Sequence, residues 1–151
     1  MLKHTIFSLL ACGLVMATES FDQLPGGKIT GGDTVYGKLS AEAGHAEITK
    51  GKGRSGAAAL RVMGGKDKCV TITLEKPLAK ETPCDFWAER WTSRAPFDFA
   101  FVAVTPEGEK RLAHNNNMGV GGYRLHVEAA LPAGTTAVKF ICTSDDKGGV
   151  L

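Results

Sequence analysis

Phe97-Asp-Phe-Ala-Phe-Val-Ala-Val-Thr105, followed by Pro106-Glu-Gly108 and Lys110-Arg-Leu-Ala-His114, is the stretch that decides the fold. The first run is aromatic and β-branched with little polar alternation, which predicts a strand buried on both faces. Pro-Glu-Gly supplies the turn, and the second run returns as the other arm of a hairpin. Upstream, Cys69-Val-Thr-Ile-Thr-Leu74 alternates, with Val70, Ile72 and Leu74 on one face. Ala59-Leu-Arg-Val-Met63, Ala46-Glu-Ile-Thr49 and Val35-Tyr36 predict further short strands. So does Cys84-Asp-Phe-Trp-Ala-Glu-Arg-Trp91 after Pro83. Downstream, Tyr123-Arg-Leu-His-Val-Glu128 alternates with Tyr123, Leu125 and Val127 inward, and Leu131-Pro-Ala-Gly134 turns into Ala137-Val-Lys-Phe-Ile-Cys142. Gly31-Gly-Asp33, Gly51-Lys-Gly-Arg-Ser-Gly56 and Asn115-to-Gly122 read as turns or loops. The sum is about eight short strands without an amphipathic helix, an all-β antiparallel sandwich or barrel. No fixed-period repeat suggests a propeller or solenoid within the chain.

At 151 residues the chain is one domain in length, and 43% hydrophobic against 23% charged residues can fill a core. Nineteen glycines suit many turns better than a helical bundle. The formal net charge is +2, and the nearest basic group, Lys50, Lys52 and Arg54, is spaced by glycines into a solvated loop. A nucleic-acid partner, which requires a basic stripe, is not expected. The glycines of that loop lack the order of a phosphate cradle.

Met1-Leu-Lys-His4 and the apolar run Thr5 to Met16 read as a secretory signal peptide over 1–17, cleaved after Ala17. The run is too short to span a bilayer, which takes about 20 residues. Leu9-Leu-Ala-Cys12 offers a lipoprotein box as the rival reading, against which the residues after Cys12 stay apolar. Residues 18–151 are then the secreted or periplasmic domain, with no transmembrane segment. Cys69, Cys84 and Cys142 remain after export, an odd number. Cys84 opens a predicted strand and Cys142 lies near the end of another, so that pair can meet in a disulfide; three buried thiols are the alternative. The chain ends on Gly149-Val-Leu151, which reads as the first residues of a strand continuing into a larger polypeptide.

Phe86-Trp-Ala-Glu-Arg-Trp-Thr-Ser-Arg-Ala-Pro-Phe97 resembles a stretch of the β-sandwich domain that precedes the catalytic propeller of secreted BNR-type bacterial sialidases. Phe21-Asp22, Ser55-Gly-Ala-Ala-Ala-Leu-Arg-Val62, Leu131-Pro-Ala-Gly134 and the final Gly149-Val-Leu151 agree with that family, so the resemblance covers most of 20–151. It implies a jelly-roll, galactose-binding-like sandwich whose last strand is incomplete at Leu151. Its implied partners are a catalytic propeller in the same polypeptide and glycans. The family's arginine triad, Tyr/Glu pair and catalytic Asp sit on the propeller, whose Ser-x-Asp-x-Gly-x-Thr-Trp repeats do not occur in this chain. The resemblance thus implies a non-catalytic accessory domain with no required cofactor; a stand-alone lectin and a purely structural packing module are the alternatives. It also implies a structural Ca²⁺, for which Asp22 is the one position carried over; a solvated aspartate is the competing reading.

Trp87, Trp91, Arg94, His114 and Asn116 are the candidate carbohydrate-binding residues. Trp87 and Trp91, four apart, share a strand face and form either a sugar platform or a packing surface. His114-Asn-Asn-Asn117 offers hydrogen bonds to sugar hydroxyls or is a solvated loop. Glu89 and Arg90 are expected to be structural, with Glu89 accepting a bidentate pair from Arg94.

Overall fold

The computed structural model describes residues 7–10, 16–54 and 57–151. The first six residues, Cys12 and the Ser55-Gly56 step lie outside the described residues, as does most of the apolar run read as a leader. The fold is an all-β sandwich of antiparallel strands. The strands are β1 (Phe7–Leu10), β2 (Met16–Glu19), β3 (Gly27–Ile29), β4 (Gly31–Thr34), β5 (Gly37–Ala41), β6 (Ala46–Thr49) and β7 (Ala59–Met63). They continue with β8 (Lys68–Leu74), β9 (Thr82–Ala88), β10 (Phe97–Thr105), β11 (Gly108–Asn115), β12 (Leu125–Leu131), β13 (Ala137–Ser144) and β14 (Gly149–Val150).

The predicted hairpin sits in one layer, a six-stranded sheet in the order β11-β10-β13-β8-β5-β4. In β10, Phe101, Val102 and Ala103 are buried in succession, while Asp98 near its start is exposed, so two-sided burial holds at the centre only. The opposite layer is built from β12-β9-β1-β2 and β14-β7-β6-β3. Short β14 joins these two pieces. Val150 lies opposite both Val62 and Arg90, and Leu151 and Glu89 exchange N–H···O bonds of 2.9 and 3.0 Å. Gly149 at φ 113 permits this close approach; a Cβ there would stand 2.3 Å from the Val62 carbonyl oxygen.

The layers meet over aromatic rings. Phe86 of β9 packs edge-on against Phe101 (4.9 Å), Phe140 (5.3 Å) and Phe99 (6.2 Å) of the facing sheet. Val70, Ile72 and Leu74 of β8 are buried as their alternation requires.

Three local expectations are corrected. Val35-Tyr36 is the turn between β4 and β5, and Gly31-Gly-Asp33 is strand, because the small residues of β4 pair with β5 and Thr34 caps the turn through its hydroxyl. Strand β9 ends at Ala88, short of Trp91, since from Glu89 onward the backbone pairs with β14 and the 119–121 loop. Tyr123 precedes β12 in a left-handed conformation (φ 44). Among the described residues no helix is long and apolar enough to cross a membrane.

Candidate functional site

The outward face of β9 carries Asp85 and Trp87, and β12 runs beside it in a register that sets His126 opposite Trp87 and Glu128 opposite Asp85. That register builds a stack. The His126 ring lies 4.2 Å from the Trp87 ring with 6° between planes, and the Arg54 guanidinium carbon lies 3.7 Å from the indole centroid. Two planar groups this close sandwich the indole, joining a π-stack to a cation–π contact. Asp85 Oδ2 is 2.8 Å from His126 Nε2, and Glu128 lies 3.9 Å from the other ring nitrogen. The carboxylate of Asp85 thereby fixes the imidazole plane that Trp87 packs on.

Beside it, His126, Glu128, His114, Asn115 and Leu125 line a cavity of about 200 Å³ between β11 and β12. His114 Nε2 is itself hydrogen-bonded to Asp98. The edge therefore presents two His–carboxylate pairs about one cavity.

Trp91 belongs to a second group. It packs with Trp87 around Ala59, Tyr123 and Leu151, and the Arg61 guanidinium lies 4.0 Å over its ring. Arg61 donates to the Gly148 carbonyl at 2.6 Å and faces Glu47 at 4.0 Å. Burial lowers its pKa, and Glu47 opposes that shift. The Tyr123 hydroxyl donates to the Lys52 carbonyl, and burial, with the Glu89 carboxylate adding, raises its pKa.

The structure thus brings Trp87, Trp91 and, through the cavity beside His126, His114 into one region. Arg94 and Asn116 are exposed side chains outside it. The expected Glu89–Arg94 pair is replaced: Glu89 Oε2 accepts the Tyr123 N–H at 2.9 Å, anchoring the loop before β12. Arg90 lies over Phe97 at 4.5 Å and donates to the Arg94 carbonyl.

Asp22 does not offer a calcium cage. Its Oδ1 accepts the Ala58 N–H at 2.9 Å, and its carbonyl accepts from the Lys50 ammonium at 2.7 Å, a cation where calcium would need oxygens. Among the described residues no group of three His, Cys, Asp or Glu could hold a metal ion. Cys84 and Cys142 are free thiols, as is Cys69, in place of the disulfide considered above. Cys84 faces the core from β9 and Cys142 from β13 in the facing sheet, and each is buried among apolar groups. Burial pushes the Cys84 thiol up to about 12 and Cys142 to about 11.

Sequence reasoning missed Arg54, Asp85, His126 and Glu19. The alternation of β9 and β12 places Asp85, Trp87 and His126 on outward faces, but only their register makes them neighbours. Glu19 is fully buried; its carboxylate accepts the N–H of Phe21 (2.6 Å) and Val35 (2.7 Å) and the Gln23 amide (3.0 Å).

No protein-family model matches the chain, and no curated protein matches it. Among solved structures, that of TmCBM61 in complex with beta-1,4-galactotriose is similar over 75% of this chain and 86% of that chain, at 11% sequence identity and a TM-score of 0.42.

Proposed function

We propose that residues 18–151 form a non-catalytic, carbohydrate-binding-like accessory domain of a secreted sialidase-like glycoside hydrolase. In this reading residues 1–17 are its signal peptide, and a catalytic propeller is its neighbour in the same polypeptide. The observation that carries the binding role is the Arg54–Trp87–His126–Asp85 stack beside the His114 cavity. Sugar rings have an apolar C–H face and a rim of hydroxyls. The indole offers the matching flat surface. Asp85 and Glu128 accept hydroxyl protons, and an imidazole whose Nε2–H is held by a carboxylate offers its other ring nitrogen as an acceptor of fixed direction. Arg54 occupies the place of the sugar in the free domain, and binding exchanges the guanidinium for the ring. Tethering a glycan site to an enzyme raises its concentration at the surface without altering the chemical step.

The experiment is a glycan array followed by calorimetry on the folded domain, its Arg54→Ala variant and its Trp87→Ala variant. Arg54→Ala uncovers the indole and should tighten binding, whereas Trp87→Ala should abolish it. A blank array for both the parent and Arg54→Ala, with folding intact, rejects the binding role.

A second reading is favoured by one observation. Both tryptophans are already packed, Trp87 between Arg54 and His126 and Trp91 beneath Arg61, around Leu151. On this reading the face is a packing surface for the neighbouring domain. A fold lost in Trp91→Ala, with no glycan bound by the parent, distinguishes it.

A further inference from the structure

The polar groups around the Trp87 stack are mostly acceptors. Asp85 holds Nε2 of His126 at 2.8 Å, and Asp98 holds Nε2 of His114. A carboxylate on Nε2 keeps the ring proton there, so each neutral imidazole leaves its Nδ1 as an acceptor. Glu128 lies 3.9 Å from Nδ1 of His126 and is 79% exposed, so its carboxylate faces a ligand as well as water. Asp98 is 54% exposed. His114, His126 and Glu128 line the cavity between β11 and β12, and among the described residues no lysine or arginine does. Asn115 supplies a neutral donor, since its side-chain oxygen accepts the Asn117 N–H at 3.0 Å and its amide nitrogen remains. Arg124, two residues before His126, lies back against Gly119 and Gly122.

The opposite face of the indole gives an independent reading of the same field. It holds a cation, the Arg54 guanidinium, 3.7 Å from the ring centroid. The π-face of an indole is its negative pole, and the carboxylates beyond His126 reinforce it. A group that enters in place of Arg54 meets that field. A sugar hydroxyl has a proton to give to the acceptors around the stack. A sugar carboxylate has none, and its charge is repelled by those of Asp85, Asp98 and Glu128.

We propose that this site selects by charge: it takes uncharged sugar chains and excludes acidic ones, sialic and uronic acids alike, with Glu128 and Asp98 setting the exclusion. The inference rests on the carbohydrate-binding role proposed above. Asp85 contributes to the same repulsion, but it also holds His126 against Trp87 and so has a positioning role. Glu128 and Asp98 are exposed enough to lose their charge without disturbing the core. Repulsion of this kind weakens the wrong ligand and leaves the right one little changed. Arg54 acts in the other direction. Displaced by a sugar, it stays tethered beside the site through Gly51-Lys-Gly53 and is the cation that an acidic sugar would find. Its removal therefore sharpens the exclusion.

The test is calorimetry on the full chain with two matched pairs: 3′-sialyllactose and its methyl ester, and tetragalacturonate and its methyl ester. Esterification removes the charge and keeps the rings. Each ester should bind about tenfold more tightly than its acid at low salt, and the gap should shrink at about 0.5 M salt. Glu128→Gln combined with Asp98→Asn should narrow the gap to about threefold or less, and Arg54→Ala should widen it. An acid that binds as tightly as its ester overturns the proposal, and so does a gap unchanged in the double variant. Both of those outcomes leave the binding role standing. No binding of any of the four sugars by the folded chain counts against the binding role and overturns the charge selection with it.

Discussion

Replacing Glu19 by alanine should cost about 3 kcal/mol, although the residue has no catalytic role and lies at the edge of the sandwich. Its carboxylate is fully buried and accepts three hydrogen bonds, two from backbone N–H groups that belong to different segments. One is Phe21, whose backbone is left-handed at φ 57; the other is Val35, in the turn between β4 and β5. Gln23 loses little on substitution because the Asp33 carbonyl lies 3.4 Å from its amide. The two backbone donors have no such substitute, and each loses a hydrogen bond to a charged group, which is worth about 1.5–3 kcal/mol. Val35 is half-exposed, and removing a buried carboxylate returns part of its own desolvation, which together place the net near the lower end of that sum. Urea unfolding of the parent and Glu19→Ala chains is the assay. With a slope of about 1–3 kcal/mol per molar, the midpoint should fall by at least about 1 M. Glu19→Gln keeps one acceptor oxygen and should fall between the two. A loss below about 1 kcal/mol for Glu19→Ala would show that water satisfies Phe21 and Val35 equally well, and would refute the reasoning.

Two further predictions concern the core. Phe86→Ala removes the ring that meets Phe99, Phe101 and Phe140 and should cost about 3–5 kcal/mol in the same assay, whereas Phe86→Leu should cost less than half of that. Stability should also decline in alkali. Cys84 and Cys142 are held neutral by burial, at about 12 and about 11, while an unfolded thiol ionises near 8.5. Folded values above unfolded ones mean that the contribution is complete below about pH 8.5 and is lost as pH rises toward 11–12. The slope is about 1.4 kcal/mol per pH unit for each thiol. Cys84→Ala should flatten the urea midpoint between pH 9 and 11, and an unchanged slope in that variant would count against the assignment.

Much of the architecture is written in local pattern. The run Phe97–Thr105 with its Pro-Glu turn, the alternation of Cys69–Leu74 and the β-branched Ala137–Cys142 each dictate a strand without reference to the rest of the chain, and β10, β8 and β13 form there. Turn chemistry misled only where glycine served a strand: Gly31-Gly32 pairs in β4, and the polar character of that segment suits an edge. The candidate site was legible only in part. Trp87 and His114 could be singled out by residue type, but nothing near them in sequence names His126, Asp85 or Arg54 as their neighbours.

What the amino-acid sequence settled by itself is the all-β character, the positions of most strands and the faces their side chains take, because periodicity and turn residues act over a few neighbours. Tertiary structure alone decided which strands lie side by side: the β9–β12 register that stacks His126 on Trp87, the Glu89 carboxylate turned to Tyr123 rather than Arg94, and β14 seated between β7 and β9. Those pairings depend on the shared burial of residues far apart in the chain. That is a property of the whole core, and no short window of sequence carries it.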